Sequence, residues 1–119
     1  MKILVVDDDR IVLTSCERVL AEEGHEVLTT STSRAALKML EHGRYDLVLV
    51  DIKMPEYDGI ELTRAVRRGS SMVPIIAMSG YATEHTIAEA LATGAQRFIP
   101  KPFLPEELLR AVREVGEGG

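Results

Sequence analysis

Four short stretches of this sequence carry residues that could do chemistry. They are the run Asp7-Asp8-Asp9, the single Asp51 that ends the apolar run Leu47-Val48-Leu49-Val50, the pair Ser79-Gly80, and Lys101 ahead of Pro102-Phe103. Carboxylates about 4 Å apart repel by about 4 kcal/mol per pair at an effective dielectric near 20, so Asp7, Asp8 and Asp51 need a cation once gathered. Lys101 offsets only one charge. Carboxylate oxygens without histidine or cysteine partners favour Mg²⁺, which keeps several waters, over zinc. Such an ion can neutralise a phosphoryl group arriving at Asp51, while Lys101 and the Ser79 hydroxyl take its other oxygens. Each stretch also has a plain structural use: three acids can cap a helix and suit its dipole, Ser79-Gly80 can be a turn, Asp51 a polar strand end and Lys101 a solvated lysine. Convergence at neighbouring strand ends is what favours a phosphoryl-acceptor site.

The pattern between these stretches predicts that convergence. Ile3-Leu4-Val5-Val6 and Leu47 to Val50 are continuous β-favouring apolar runs, the mark of parallel strands covered on both faces, and Val73 to Met78 is a third, delivering Ser79 to its end. His25 to Thr30 and Arg97-Phe98-Ile99 are weaker strands. Val27 and Leu28 are flanked by polar residues, and Pro100 lacks the donor a central strand needs, so both belong at edges.

Helical patterns fill the intervals. The first shares Val12, Cys16, Val19 and Leu20 on one face and closes at Gly24; the second starts from a Thr32 or Ser33 cap and buries Ala36, Leu37 and Leu40 before Gly43. Met54-Pro55 stops the central strand, and Asp58-Gly59 turns the chain into a third helix, with Glu61 placed as in a capping box and Leu62, Ala65 and Val66 inward. The fourth, from about Thr83 to Thr93 with Gly94 beyond, has a thin stripe of Ile87, Ala88 and Leu91, which implies modest packing and some freedom to shift. Pro105 opens the fifth, with Leu108, Leu109, Val112 and Val115 inward. Five βα units with right-handed crossovers predict the α/β class, a flavodoxin-like (βα)5 doubly wound parallel sheet in the order 2-1-3-4-5. Ligands of such sheets bind beyond the carboxyl ends of the strands, where Asp7, Asp51, Ser79 and Lys101 fall.

At 119 residues the chain makes one domain, read as residues 1–116, with Gly116 to Gly119 a flexible end and 117–119 a tail or linker stub. Fourteen basic against 19 acidic residues give a net charge of −5, which disfavours a phosphate backbone as partner. Arg64, Arg67 and Arg68 read as a solvated face rather than a nucleic-acid contact. The lone Cys16 cannot form an internal disulfide, Ile3 to Val6 is too short for a signal peptide, and no stretch is long enough to span a membrane. The expected setting is the reducing cytoplasm, without direct contact to nucleic acid or membrane.

In their order, VVDDD, LVDIKMPEYDG, AMSG and IPKPF resemble the motifs of the response-regulator receiver domain of two-component signalling, and the likeness covers essentially the whole chain. The resemblance implies that Asp51 is phosphorylated, with Mg²⁺, by the phosphohistidine of a sensor histidine kinase or histidine phosphotransfer protein, or by a small phosphodonor. It implies that Asp8 ligates the metal directly, Asp7 largely through water, and the backbone carbonyl of Lys53 as the remaining protein ligand beside Asp51. Ser79 becomes the switch hydroxyl and Lys101 the cation on the phosphoryl group, with a cis bond to Pro102. The second switch position is aromatic and lies three residues before the lysine; here it is Phe98, which has no hydroxyl, so switching there must come from ring burial.

Phosphorylation then biases a pre-existing equilibrium through Ser79 and Phe98, and the face of helix four, strand five and helix five controls an output domain or effector, or a homodimer formed on phosphorylation. Lys53 and Tyr81, two residues beyond Asp51 and Ser79, fall where the family tunes the lifetime of the phosphoryl group; a long cationic chain and a ring beside the site would restrict water and lengthen it. The domain is then a regulator that catalyses only its own phosphorylation and dephosphorylation. A Mg²⁺-dependent phosphatase of the haloacid dehalogenase type also uses a strand-end Asp, but it carries a second acid where this chain has Lys53, and a cap domain for which this chain is short. A flavin carrier of the same topology would cradle phosphate with Gly, Ser or Thr amides after strand one, where this chain has three acids. A docking module that is never phosphorylated is the third alternative, although every expected site residue is present.

Overall fold

The computed structural model describes residues 1–53, 59–69 and 71–118. Five strands and five helices alternate among them: β1 (Lys2–Val6), α1 (Arg10–Glu22), β2 (Glu26–Thr30), α2 (Ser33–His42), β3 (Leu47–Asp51), α3 (Gly59–Arg68), β4 (Ile75–Ser79), α4 (Glu84–Thr93), β5 (Arg97–Pro100) and α5 (Pro105–Gly118). All strand pairs are parallel and the order is β2-β1-β3-β4-β5, as the apolar runs predict. Both weak strands lie at the edges.

Alternation along the three central strands feeds two separate cores. Leu4, Val6, Val48, Val50 and Ala77 pack with Ala36 of α2, Leu62 and Val66 of α3 and Ala90 of α4. Ile3, Val5, Leu47, Leu49, Ile76 and Met78 pack with Cys16 and Leu20 of α1 and Leu108, Ala111 and Val112 of α5. Each large side chain so buried contributes about 2 kcal/mol, and this apolar sandwich is what holds the strand ends in a common plane. The helices start at side-chain caps: Asp9, Thr32 and Thr83 accept from the N–H groups of Ile11, Ala35 and Thr86.

Several local expectations change. The buried face of α4 is Thr86 and Ala90, whereas Ala88 is exposed, Leu91 is 45% exposed and Ile87 is half-buried. Thr86 tolerates burial because its hydroxyl accepts from Thr83 Oγ1 at 2.9 Å, and the small Ala90 lets the helix approach the sheet closely. Leu37, Leu40 and Ala65 are half-buried, while Ser33 and Thr63 are buried in their place. Arg67 does not share the solvated face of Arg64 and Arg68; it is half-buried and donates to carbonyls of the α3–β4 and α4–β5 connections. Helix α5 runs to Gly118, into the stretch read from the sequence as a flexible end. The Met54-Pro55 strand stop and the Asp58 cap lie outside the described residues. No helix among the described residues is long and apolar enough to cross a membrane.

The junction between β3 and α3 is unusually close. A Cβ on Gly59 would lie 2.8 Å from Ile52 Cα and 2.9 Å from the carbonyl carbon of Asp51, and nearer still to the Asp51 carbonyl oxygen. Only hydrogen fits, so the first residue of α3 rests directly against the backbone that presents Asp51. Gly80, beyond Ser79, faces open space. Gly59→Ala is therefore expected to lower stability by about 2 kcal/mol through forced backbone shifts, with Gly80→Ala within about 0.5 kcal/mol of the parent. Urea unfolding midpoints check the pair; equal midpoints would show that α3 moves away from β3 at no cost.

Candidate functional site

Asp7 follows the last residue of β1, Asp51 ends β3, Ser79 ends β4, and Lys101 follows β5. The registers Val6 to Val50, Asp51 to Met78 and Ser79 to Pro100 bring these ends level, so all four residues meet at one edge of the sheet. One carboxylate oxygen from each of Asp7, Asp8 and Asp51 lies within 4.8 Å of the others. Asp7 and Asp51 are buried, at 0% and 5% exposure, and Asp8 is exposed. Lys101 reaches across β4 to place Nζ 2.7 Å from Asp7 Oδ2 and 3.1 Å from Asp51 Oδ2.

The two buried acids are held alike. Asp7 Oδ1 accepts from the N–H of Asp9 and Asp51 Oδ1 from the N–H of Lys53, each at 2.9 Å and each from two residues on. One oxygen of each acid is thus pinned by its own turn while the other faces Lys101. The three consecutive acids divide their work: Asp9 caps α1 and lends its amide to Asp7, and Asp7 and Asp8 join Asp51. Run length alone cannot reveal that division.

Burial pushes the Asp7 carboxyl above its ordinary range and the charge of Asp51 adds to this, against the opposing pull of Lys101 and the Asp9 amide. Burial alone would lower the Lys101 ammonium, yet its contacts with Asp7 and Asp51 outweigh that and raise it, so it stays charged. The Cys16 thiol is pushed up to about 12, chiefly by burial and then by Asp7, which leaves it protonated and inert.

Three carboxylates against one ammonium leave two negative charges in excess. Lys101 Nζ is the partner of both Asp7 Oδ2 and Asp51 Oδ2, so one ammonium is shared between two buried carboxylates. An excess of negative charge, an oxygen-only donor set and a spread no wider than 4.8 Å fit a hard divalent cation, whose opposite ligands stand about 4 Å apart.

Ser79 is fully buried; its Oγ accepts from the Tyr81 N–H at 2.9 Å, and its carbonyl accepts from the Lys101 N–H at 2.9 Å. The Lys101–Pro102 peptide is cis. Phe98 lies beside Ala77, half-buried against the core on the α3 and α4 side. The side chains of Lys53 and Tyr81 are exposed, Tyr81 at 67%.

Residues 3–113 match the family described as the response regulator receiver domain. The response regulator MprA of Mycolicibacterium vanbaalenii is 37% identical over 113 residues, which cover 95% of this chain and 49% of that protein. The alkaline phosphatase synthesis transcriptional regulatory protein PhoP of Bacillus subtilis is 34% identical over 114 residues, 96% of this chain and 48% of that one. The chain thus spans about half the length of these relatives. Among solved structures, the chemotaxis protein CheY4 of Vibrio cholerae has a TM-score of 0.91 at 33% identity, with 96% of this chain and 97% of that chain covered. A CheY-like receiver domain protein of Methanospirillum hungatei has a TM-score of 0.89 at 34% identity, covering 95% and 90%. Related along nearly its whole length in sequence and in backbone path, the chain belongs to the receiver domains of two-component response regulators.

Proposed function

We propose that this domain accepts a phosphoryl group on Asp51 in a Mg²⁺-dependent reaction, from the phosphohistidine of a sensor histidine kinase or histidine phosphotransfer protein or from a small phosphodonor. The supporting observation is a buried strand-end carboxylate held 3.1 Å from a charged lysine and within 4.8 Å of two further acids that one lysine cannot neutralise. Asp7, Asp8, Asp51 and the backbone carbonyl of Lys53 are the residues assigned to the metal. When bound, Mg²⁺ supplies positive charge for the oxygens of the transferring group.

A carboxylate oxygen of Asp51 attacks phosphorus as the donor P–N bond breaks. The imidazole leaves with the bonding pair and takes up a proton, and Asp51 becomes an acyl phosphate. Lys101, 3.1 Å from Asp51, follows the negative charge from the carboxylate onto the phosphoryl oxygens in this reading. The oxygen of Ser79 already accepts from Tyr81, so its hydrogen is available to donate to a second phosphoryl oxygen. Those new contacts draw on Ser79 and, through ring burial at Phe98, on the α4–β5–α5 face that addresses the output. The output is an output domain or effector protein, or a second copy of the phosphorylated domain; PhoP, by its name a transcriptional regulator, supports a longer protein of that kind.

Incubation with acetyl phosphate and Mg²⁺ is expected to add one hydroxylamine-labile phosphoryl group to the parent and none to Asp51→Asn, read by intact mass. Modification of the variant to the same extent would overturn the assignment. A carboxyl with a raised folded-state pKa gives its full stabilisation below the unfolded value and loses it as pH rises through the folded one, so ionised Asp7 costs stability at neutral pH. Asp7→Asn should therefore stabilise the metal-free domain by about 1 kcal/mol at pH 7. Millimolar Mg²⁺ should raise the melting temperature of the parent much more than that of the variant, which differential scanning calorimetry can compare. Lys53 and Tyr81 are assigned to slowing hydrolysis, so the double variant Lys53→Ala, Tyr81→Ala should shorten the phospho-form half-life severalfold in a radiolabel-loss assay; an unchanged half-life refutes that role.

A further inference from the structure

The guanidinium of Arg67, in the last turn of α3, gathers two connections and the end of a neighbouring helix. Nη1 donates to the carbonyls of Ser71 and Val73 at 3.0 and 2.9 Å, and Nη2 to the carbonyl of Gly94 at 2.8 Å and to Gln96 Oε1 at 3.4 Å. Gln96 Oε1 also accepts from the N–H of Ile75 at 2.8 Å, and the N–H of Gln96 donates to the carbonyl of Ile75 at 2.8 Å. The starts of β4 and β5, whose far ends carry Ser79 and precede Lys101, are thereby tied to one side chain.

The same side chain braces the turn that closes α4, where the N–H groups of Gly94 and Ala95 bond the last helix carbonyls and the Gly94 carbonyl accepts from Arg67. That helix has no basic residue in its last turn, and Arg67 supplies from α3 the positive charge that its carbonyl end favours. Gly94 has a φ of +129°, and a Cβ there would lie 2.8 Å from Arg67 Nε, so the turn after α4 is shaped around the guanidinium. The opposite end of α4 is held differently. Residues Gly80 to His85 are exposed, Gly80 has nothing near its missing Cβ, and the only fully buried side chains of the helix are Thr86 and Ala90. The start of α4 is held by the local cap of Thr83 on Thr86 and is joined to Ser79 through exposed residues 80–83, whereas the turn after its end is tied by Arg67 to α3 and to the starts of β4 and β5.

We infer that Arg67 is the positioning residue about which α4 pivots: it fixes the C-terminal end of the helix, so that a pull on Ser79 swings the N-terminal end instead of displacing the whole helix. The use of this pivot as a switch rests on the phosphoryl-acceptor reading; the anchor itself does not. A pivot converts a small shift at one residue into a rotation of the exposed face bearing Ala88 and Leu91. Without it, α4 would lose its tie to α3 and the β-strand starts, and the whole helix could follow the shift.

Amide hydrogen exchange on the whole domain tests both parts, with Arg67→Met keeping the aliphatic stem. Without ligand, the variant should exchange about tenfold faster in the last turn of α4 and at Gly94 to Gln96, while β1 and α1 keep parental rates. Equal rates in that turn, or an even rise across the domain, would overturn the anchor. With Mg²⁺ and beryllofluoride as the phosphoryl mimic, the parent should change in residues 83–87 and stay protected in residues 91–94, whereas the variant should change along the whole helix. Change at both ends of the parent helix overturns the pivot. A parent that responds nowhere overturns the phosphoryl-acceptor reading and the switching use with it, while the ligand-free comparison still decides the anchor. Arg67→Lys, which retains the charge but not the fork, should fall between parent and Arg67→Met, and it replaces the Met variant should that fail to fold.

Discussion

One ammonium group between two buried carboxylates sets the conditions under which this domain can exist. Asp7 and Asp51 lie on neighbouring central strands with almost no access to water, and each could remain ionised there only beside compensating charge. Lys101 provides it from the far side of β4, at 2.7 and 3.1 Å. The compensation depends on the fold at long range, since Lys101 is in place only when the edge strand β5 has paired with β4. The apolar strands contribute the stability, and the acids at their ends draw it down. Incomplete neutralisation is the property that makes the edge a receptive site rather than a satisfied polar cluster.

Much of this was legible in the chain. Continuous apolar runs marked β1, β3 and β4 as central, polar flanks and Pro100 marked the two edges, and the acids, Ser79 and Lys101 all stood where those runs ended. What escaped sequence reasoning did so for physical reasons. Hydropathy placed Ile87, Ala88 and Leu91 inward on α4, but a threonine whose hydroxyl is satisfied one turn away is an adequate core residue, and Thr86 took that face. Arg67 looks no different from Arg64 and Arg68 in composition; only folding shows that the carbonyls of Val73 and Gly94 converge on it. Gly59 read as a turn residue, because a glycine needed for close approach and one needed for turning are the same letter.

The two cores also differ in character. The face covered by α1 and α5 is filled by large side chains such as Leu20, Leu49, Met78 and Leu108, which favours a rigid backing for the acids. On the other face α4 contributes only Ala90 among fully buried apolar groups. Large side chains thus back the acids on one face, while α4 packs on the other through a small residue.

The contact of Gly59 with the backbone of Asp51 and Ile52 has a consequence for how such domains diversify. The segment joining β3 to α3 leaves and returns at nearly the same point, so its ends are clamped whatever lies between them. Closing a longer loop on fixed ends costs only about 0.6 kcal/mol for each doubling of length. Insertions and exchanges within that segment are therefore a low-cost route to remodelling the surroundings of Asp51 while its carboxylate stays where the sheet puts it.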